Sequence, residues 1–165
     1  MKTFYLMRHA KSSWSFDDLS DQERPLNDRG RDDAPSIGQA LAKRQPALDL
    51  IVSSPAVRAL STAVLVAREL DYATADIKVE PDIYQADLDT LLAIVRALPD
   101  TAQNVLLTGH NPTVTDLGNY LLPTSGLSTE MPTAAVLCLH FQTDTWADVG
   151  PGNAEFHFFD YPKKG

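Results

Sequence analysis

The first twelve residues constrain this chain most. There an apolar run, Phe4, Tyr5, Leu6 and Met7, passes directly into Arg8, His9, Ala10, Lys11 and Ser12. Four consecutive large apolar residues read as a strand buried on both faces, and such strands belong to mainly parallel sheets covered by helices. A strand of this kind ending in Arg and His presents both side chains at the carboxyl edge of the sheet, where open α/β folds place ligands. His9 is therefore read as a nucleophile. Three later stretches, 24–30, 53–63 and 108–113, each follow a strand or turn and supply matching parts.

At 165 residues the chain is long enough for one sizeable core and short for two, so 1–165 reads as a single domain. Its formal charge of −8 argues against holding nucleic acid through an overall field, because phosphate backbones require a basic face. A local arginine cluster could still take an anionic substrate. The single cysteine, Cys138, lies in an apolar run and reads as a small core residue of a reduced compartment. No apolar stretch approaches the roughly 20 residues that cross a bilayer, and Arg8 interrupts the only early apolar run. A cytoplasmic protein without membrane contact is expected.

In chain order, the polar segment 11–28 reads as a surface loop anchored by Trp14 and Phe16. Asn27 is placed to cap a helix whose Ala34, Ile37, Gly38 and Leu41 keep helical spacing, with a kink or an irregular first turn expected at Pro35. Residues 48–53 form a second strand. Ser54 is expected to cap the next helix, with Pro55 in its first turn and Leu60, Ala63, Val64, Ala67 and Leu70 as its apolar stripe. A short strand over 77–80 is followed by a loop through Asp82 and Tyr84, then by a helix capped by Asp87. Residues 104–108 form a fourth strand. Asn111 is expected to cap, and Pro112 to start, a helix with Val114, Leu117, Gly118 and Leu121 on one face.

Beyond a Ser, Thr and Pro-rich loop after Pro123, residues 134–141 form a strand, with strand-like residues around Trp146 and over 156–159. The terminal residues 162–165 carry no packing signal. The late strands follow one another without a helix, so at least one is antiparallel. Alternation elsewhere predicts an α/β three-layer sandwich with a mainly parallel central sheet.

The chemistry-bearing candidates are Arg8 and His9 after the first strand, Arg58 after the second and His110 after the fourth. Guanidinium groups match phosphate oxygens with paired donors and stay charged at physiological pH. A neutral imidazole can attack phosphorus and form a phosphohistidine that water later hydrolyses. Arg8, Arg58 and a protonated His110 would hold the equatorial charge of the phosphoryl transition state without a metal or other cofactor.

These residues resemble the histidine phosphatase superfamily, the phosphoglycerate mutase-like fold. The likeness rests on Leu6, Met7, Arg8, His9, Ala10; on Arg24, Pro25, Leu26 through Arg29 and Gly30; on Ser53, Ser54, Pro55 with Arg58 and Thr62; and on Gly109, His110, Asn111, Pro112. Within the superfamily, the compact length and the opening run to Trp14 look like the small SixA-type phosphohistidine phosphatases. The resemblance implies His9 as the phosphorylated nucleophile and Arg8, Arg58 and His110 as the phosphate pocket. Mutase-like members carry Asn after the tryptophan, where this chain has Ser15, the position that implies a phosphate contact. Many members use a Glu as general acid after the third strand; the nearest matching position here is Asp82, with Asp87 the weaker choice.

A shorter acid at that place favours an activated substrate, since a phosphorylated imidazole leaves readily whereas an alcohol must be protonated. No long insertion between Glu80 and Asn104 builds a lid, and an open site suits a phosphohistidine carried on a protein. Two alternatives stand beside this reading: a small-molecule phosphomonoesterase of the same superfamily, and a non-catalytic module that binds phosphorylated ligands. His140 and His157 read as structural, Lys11 as solvated or as a guide for an anion. Asp17 to Asp21 reads as a solvated face, because its spacing fits no calcium loop.

Overall fold

The computed structural model describes residues 1–123 and 130–162; most of the loop expected after Pro123 and the tail from Lys163 lie outside them. Six strands form one sheet in the order β3-β2-β4-β1-β5-β6. They are β1 (Lys2–Arg8), β2 (Leu50–Ser53), β3 (Lys78–Val79), β4 (Asn104–Gly109), β5 (Val136–Phe141) and β6 (Ala154–Asp160). The first four run parallel; β5 is antiparallel to β1, and β6 to β5. The helices are α1 (Asp28–Ala42), α2 (Val57–Glu69), α3 (Leu88–Arg96) and α4 (Thr113–Leu121).

The alternation of side chains along a strand divides the interior into two cores. Phe4 and Leu6 of β1 pack with Leu91, Leu117 and Leu121 of α3 and α4. Tyr5 and Met7 face the other way, toward Ile37 and Leu41 of α1 and Ala63 and Val66 of α2. This is the expected three-layer sandwich. Register then decides the function: Arg8 pairs with Gly109, and Ser53 with Thr108. The residues that follow β1, β2 and β4 therefore emerge side by side at one edge.

Several local details depart from the sequence reading. Pro35 lies inside α1, which continues through it. On α2 the buried face is Ala59, Thr62, Ala63, Val66 and Ala67, rather than the stripe through Leu60 and Val64. Small residues line it because α1 approaches closely: a Cβ on Gly38 would lie 3.0 Å from the Glu69 Cβ. Trp146 sits in a 3-10 turn instead of a strand, fully buried, its indole N–H donating to the Ala102 carbonyl at 2.8 Å. Trp14 and Phe16 do not anchor their loop from below; they are 78% and 50% exposed. Cys138 is buried as expected, and burial pushes its thiol up to about 12.

Candidate active site

His9 is the first residue beyond β1, held on both sides by backbone. Its N–H donates to the Gly109 carbonyl at 3.1 Å, and its own carbonyl accepts from the Ala134 N–H at 3.0 Å. The imidazole is almost buried, and its Nδ1 lies 2.7 Å from the Ala10 carbonyl. A carbonyl only accepts, so Nδ1 carries the hydrogen and Nε2 keeps its lone pair. Burial, followed by the nearby His110, Arg58 and Arg8, pushes the His9 pKa down to about 3, against the Ala10 hydrogen bond. The ring is thus neutral and in the tautomer a nucleophile needs.

The loop that carries His9 is fastened to two helices. The Ala10 N–H donates to the Thr62 hydroxyl at 2.9 Å, and that hydroxyl donates to the Arg58 carbonyl at 2.7 Å. Lys11 meets the start of α1, where its carbonyl accepts from the Asn27 N–H at 3.0 Å. A Cβ on Gly30 would fall 2.1 Å from that same carbonyl oxygen, so no other residue fits there. Asn27 caps α1 as its type predicts, accepting from the Gly30 N–H at 2.8 Å.

His9 opens into a cavity of about 280 Å³ whose lining includes Arg8, Arg24, Arg58, His110, Lys11 and Trp14. The His9 and His110 ring centroids are 5.2 Å apart. His110 Nε2 lies 2.8 Å from the Ser54 hydroxyl. Ser54 was expected to cap α2. Its hydroxyl instead faces His110 and accepts from the Ala56 N–H at 3.2 Å, and α2 begins at Val57 without a side-chain cap. Asn111 likewise does not cap α4; its amide donates to the Met131 carbonyl at 3.0 Å and its oxygen accepts from the Thr115 hydroxyl at 2.8 Å. Both side chains brace the His110 turn.

Arg8 donates to the Met131 carbonyl at 2.8 Å, yet its Nε and the His110 Nδ1 are buried without a hydrogen-bond partner among the described residues. Buried polar atoms left unpaired are costly, and two of them beside His9 suit an incoming oxyanion. Burial pushes the Arg8 pKa down, partly offset by Glu130. Burial and the adjacent Arg58 and Arg8, against Asp21, push the His110 pKa down to about 4, which favours the neutral ring over the protonated one expected from the sequence. The cations lining the pocket are the guanidinium groups of Arg8, Arg24 and Arg58, with the Lys11 ammonium.

Two further polar residues, Arg24 and Asp21, given no role at the site in the sequence reading, complete the arrangement. Arg24 is buried, donates to the Ser13 carbonyl at 3.0 Å and to the Ser12 hydroxyl, and pairs with Asp21 at 2.9 Å. Asp21 also accepts from Arg58, at 3.0 Å through its carboxylate and 2.6 Å through its carbonyl, and from the Tyr84 hydroxyl at 2.6 Å. The Tyr84 hydrogen bond and the two arginines hold its carboxyl well below the usual carboxylate range. Asp21 lies on the solvated face expected for 17–21, yet its half-exposed carboxylate also joins Arg24, Arg58 and Tyr84. A buried Arg in the 24–30 stretch was its one sequence signal.

Of the acid candidates, Asp82 lies exposed in the 3-10 turn Pro81–Ile83, its N–H 3.4 Å from the Glu80 carboxylate, and it does not line the cavity. The residue of that loop facing the site is Tyr84, whose ring meets His110 edge-on with centroids 5.7 Å apart. Asp87 caps α3 through the Thr90 N–H at 2.9 Å. Ser15 is exposed in a neighbouring hollow with Phe16, Pro25 and Arg31. Arg8, His9, Arg58 and His110 come together; Asp82, Asp87 and Ser15 do not join them.

A sheet of this order, with histidine and arginine at the carboxyl ends of its parallel strands, defines a phosphatase-class hydrolase fold, and the comparisons with known proteins agree. Residues 4–91 match the model of the histidine phosphatase superfamily, branch 1, and the chain belongs to that family. An uncharacterised protein of Mycobacterium tuberculosis is 32% identical over 95% of this chain and its own full length. The crystal structure of a candidate phosphohistidine phosphatase SixA from Agrobacterium tumefaciens superposes with a TM-score of 0.83 at 28% identity, covering 98% of each chain. A candidate SixA from Nakamurella multipartitia gives 0.81 at 29% identity, over 99% of this chain and 97% of its own. No helix among the described residues is long and apolar enough to cross a membrane.

Proposed function

We propose that this chain is a protein phosphohistidine phosphatase that works through a phosphohistidine on His9, with Arg8, Arg58 and His110 binding the phosphoryl group. One observation carries the choice of substrate: among the described residues none that lines the cavity is a carboxylic acid, and the carboxylate that touches its arginines, Asp21, is held ionised. Such a site places no carboxylic acid among its described residues to protonate a departing alcohol. It suits a leaving group that departs without one, and a phosphorylated imidazole is such a group. The SixA likeness supports the same reading.

In the proposed reaction the His9 Nε2 lone pair bonds to phosphorus as the P–N bond to the substrate ring breaks. The electron pair of that bond returns to the ring, which leaves as neutral imidazole with a solvent proton on its other nitrogen. A water oxygen then displaces His9, the bond pair returns to Nε2, and inorganic phosphate leaves with its released proton passing to solvent. Arg8 and Arg58 offset the charge on the equatorial oxygens, and the neutral His110 shares one of them through a hydrogen bond. The arginines supply this charge themselves, so turnover is expected to persist in chelator.

The test is phosphate release by metal-free wild type and His9→Ala from a phosphohistidine-bearing protein and from a panel of phosphomonoesters. Turnover confined to phosphohistidine and lost in the variant supports the proposal. Faster turnover of phosphoserine or sugar phosphates makes the protein a small-molecule phosphomonoesterase, and no turnover at all makes it a binding module.

A further inference from the structure

Trp14 stands at the mouth of the pocket in an unusual position. It is 78% exposed, yet the loop beneath it is pinned: the Ser13 N–H donates to the Pro25 carbonyl at 2.8 Å, and Ser12 bridges to Leu26. The Arg24 guanidinium lies over the indole, its central carbon 3.3 Å from the ring centroid. That guanidinium is fixed in turn by Ser12, Ser13 and Asp21. The indole is therefore held on one face by a buried cation, is largely open to solvent, and lines the same cavity as His9.

We infer that Trp14 is a specificity-determining residue: its open face stacks on the planar ring of the group leaving phosphorus, the imidazole of phosphohistidine. The inference rests on the phosphohistidine reading above. A phosphoryl group seated on His9 between Arg8 and Arg58 directs its fourth substituent toward the mouth, because the nucleophile sits on the nearly buried floor and displacement is in line. The first atoms outside belong to the leaving group, and the rim there carries an indole. Aromatic pairs gain from offset or edge-on stacking beyond simple burial. Arg24 beneath the indole keeps the platform in one orientation, so little side-chain freedom is lost on binding. An alkyl or bare amine leaving group has no ring to place there.

Phosphoramidate carries the same P–N bond without a ring, so it isolates this contribution. For Trp14→Ala, the kcat/KM ratio of a phosphohistidine peptide to phosphoramidate is expected to fall ~3- to 10-fold, chiefly through KM for the peptide, and Trp14→Phe restores most of it. An equal fall for both substrates, or a parallel loss of inorganic phosphate affinity, would show that Trp14 merely props Arg24 and would overturn the inference.

A second measurement needs no turnover. Trp146 is fully buried, so acrylamide quenching reports chiefly on Trp14. Phenylphosphonate is expected to protect Trp14 from quenching where inorganic phosphate does not. Equal protection by both, or by neither, overturns the inference. If the peptide is not hydrolysed at all, the phosphohistidine reading fails, while the quenching still decides whether Trp14 meets a ring attached to phosphorus.

Discussion

The floor and the rim of this pocket are built by different means. The floor comprises Arg8, His9, Arg58 and His110, positioned by strand ends in register and by buried hydrogen bonds such as Ala10 to Thr62. At the rim stands Trp14, and behind the lining Asp21 and Tyr84, brought from two loops, hold Arg24 and Arg58 and meet His110, with the Asp21 side chain half exposed. On the proposed function, rigid backbone would fix where phosphorus sits, while loops would decide what is attached to it. Substitutions on the floor should therefore abolish chemistry, and those on the rim should grade it.

His9→Ala is the severest test. Removing the proposed nucleophile from an otherwise intact site is expected to lower turnover by at least ~10³-fold, because groups that act as a unit fail together. Acid-labile phosphate on the wild-type protein, absent from the variant, would tie the loss to a covalent intermediate. Labelled phosphoprotein persisting in the variant would remove His9 from that role. Arg58→Ala follows, with an expected loss of ~10²- to 10³-fold in kcat, the scale seen when one oxyanion donor is deleted.

Gly30→Ala acts on the floor without touching it. A methyl group 2.1 Å from the Lys11 carbonyl oxygen forces α1 away from the loop behind His9. Destabilisation of about 2–4 kcal/mol is expected in urea unfolding, the range of a backbone clash that cannot relax through a side chain. A neutral outcome would mean that the α1 start moves freely relative to His9, and the floor would be less rigid than its hydrogen bonds imply.

Asp21→Asn sharpens the contrast. Asparagine keeps the shape and some hydrogen bonds to Arg24, Arg58 and Tyr84 but removes the charge that orients two guanidiniums. The expected loss is about 10-fold or less in kcat/KM, since a half-exposed ion pair contributes modestly. A loss as large as that of Arg58→Ala would place Asp21 in the floor and erase the distinction.

The same division explains what could be read from the sequence. The motif at the end of β1, the strand alternation and the cap of α1 by Asn27 were legible because strand ends and caps are local rules. So was the bracketing of His9 by Arg58 and His110, which follows from parallel topology. The errors cluster where a polar side chain had two partners to choose between. Ser54 and Asn111 have the chemistry of caps, yet tertiary contacts to His110 and Met131 compete for them and win. Trp14 looked like an anchor because large aromatics usually seek burial; here a cation takes one face. Asp21 belonged to a run of acidic residues whose spacing carried no signal, and only the fold brings it to Arg58, 37 positions away.

The smallest expected effect concerns pH and stability. His9 and His110 titrate in the folded protein at about 3 and about 4, below the ordinary value of 6.5. Between those values and 6.5 the unfolded chain binds protons that the folded chain refuses, so stability is fully present above pH 6.5 and is lost as pH falls toward 4. His157, also lowered by burial and by its neighbours His140 and Arg44, adds to the same window, whereas the Asp21 pairs fail only at lower pH. His9→Gln should therefore flatten the pH slope of unfolding free energy between 6.5 and 4.5 by up to one proton, about 1.4 kcal/mol per pH unit. Urea melts at three pH values measure it. An unchanged slope would mean that His9 takes up its proton in the folded protein as it does in the unfolded chain, so that burial would not be what keeps the Nε2 lone pair free below pH 6.5.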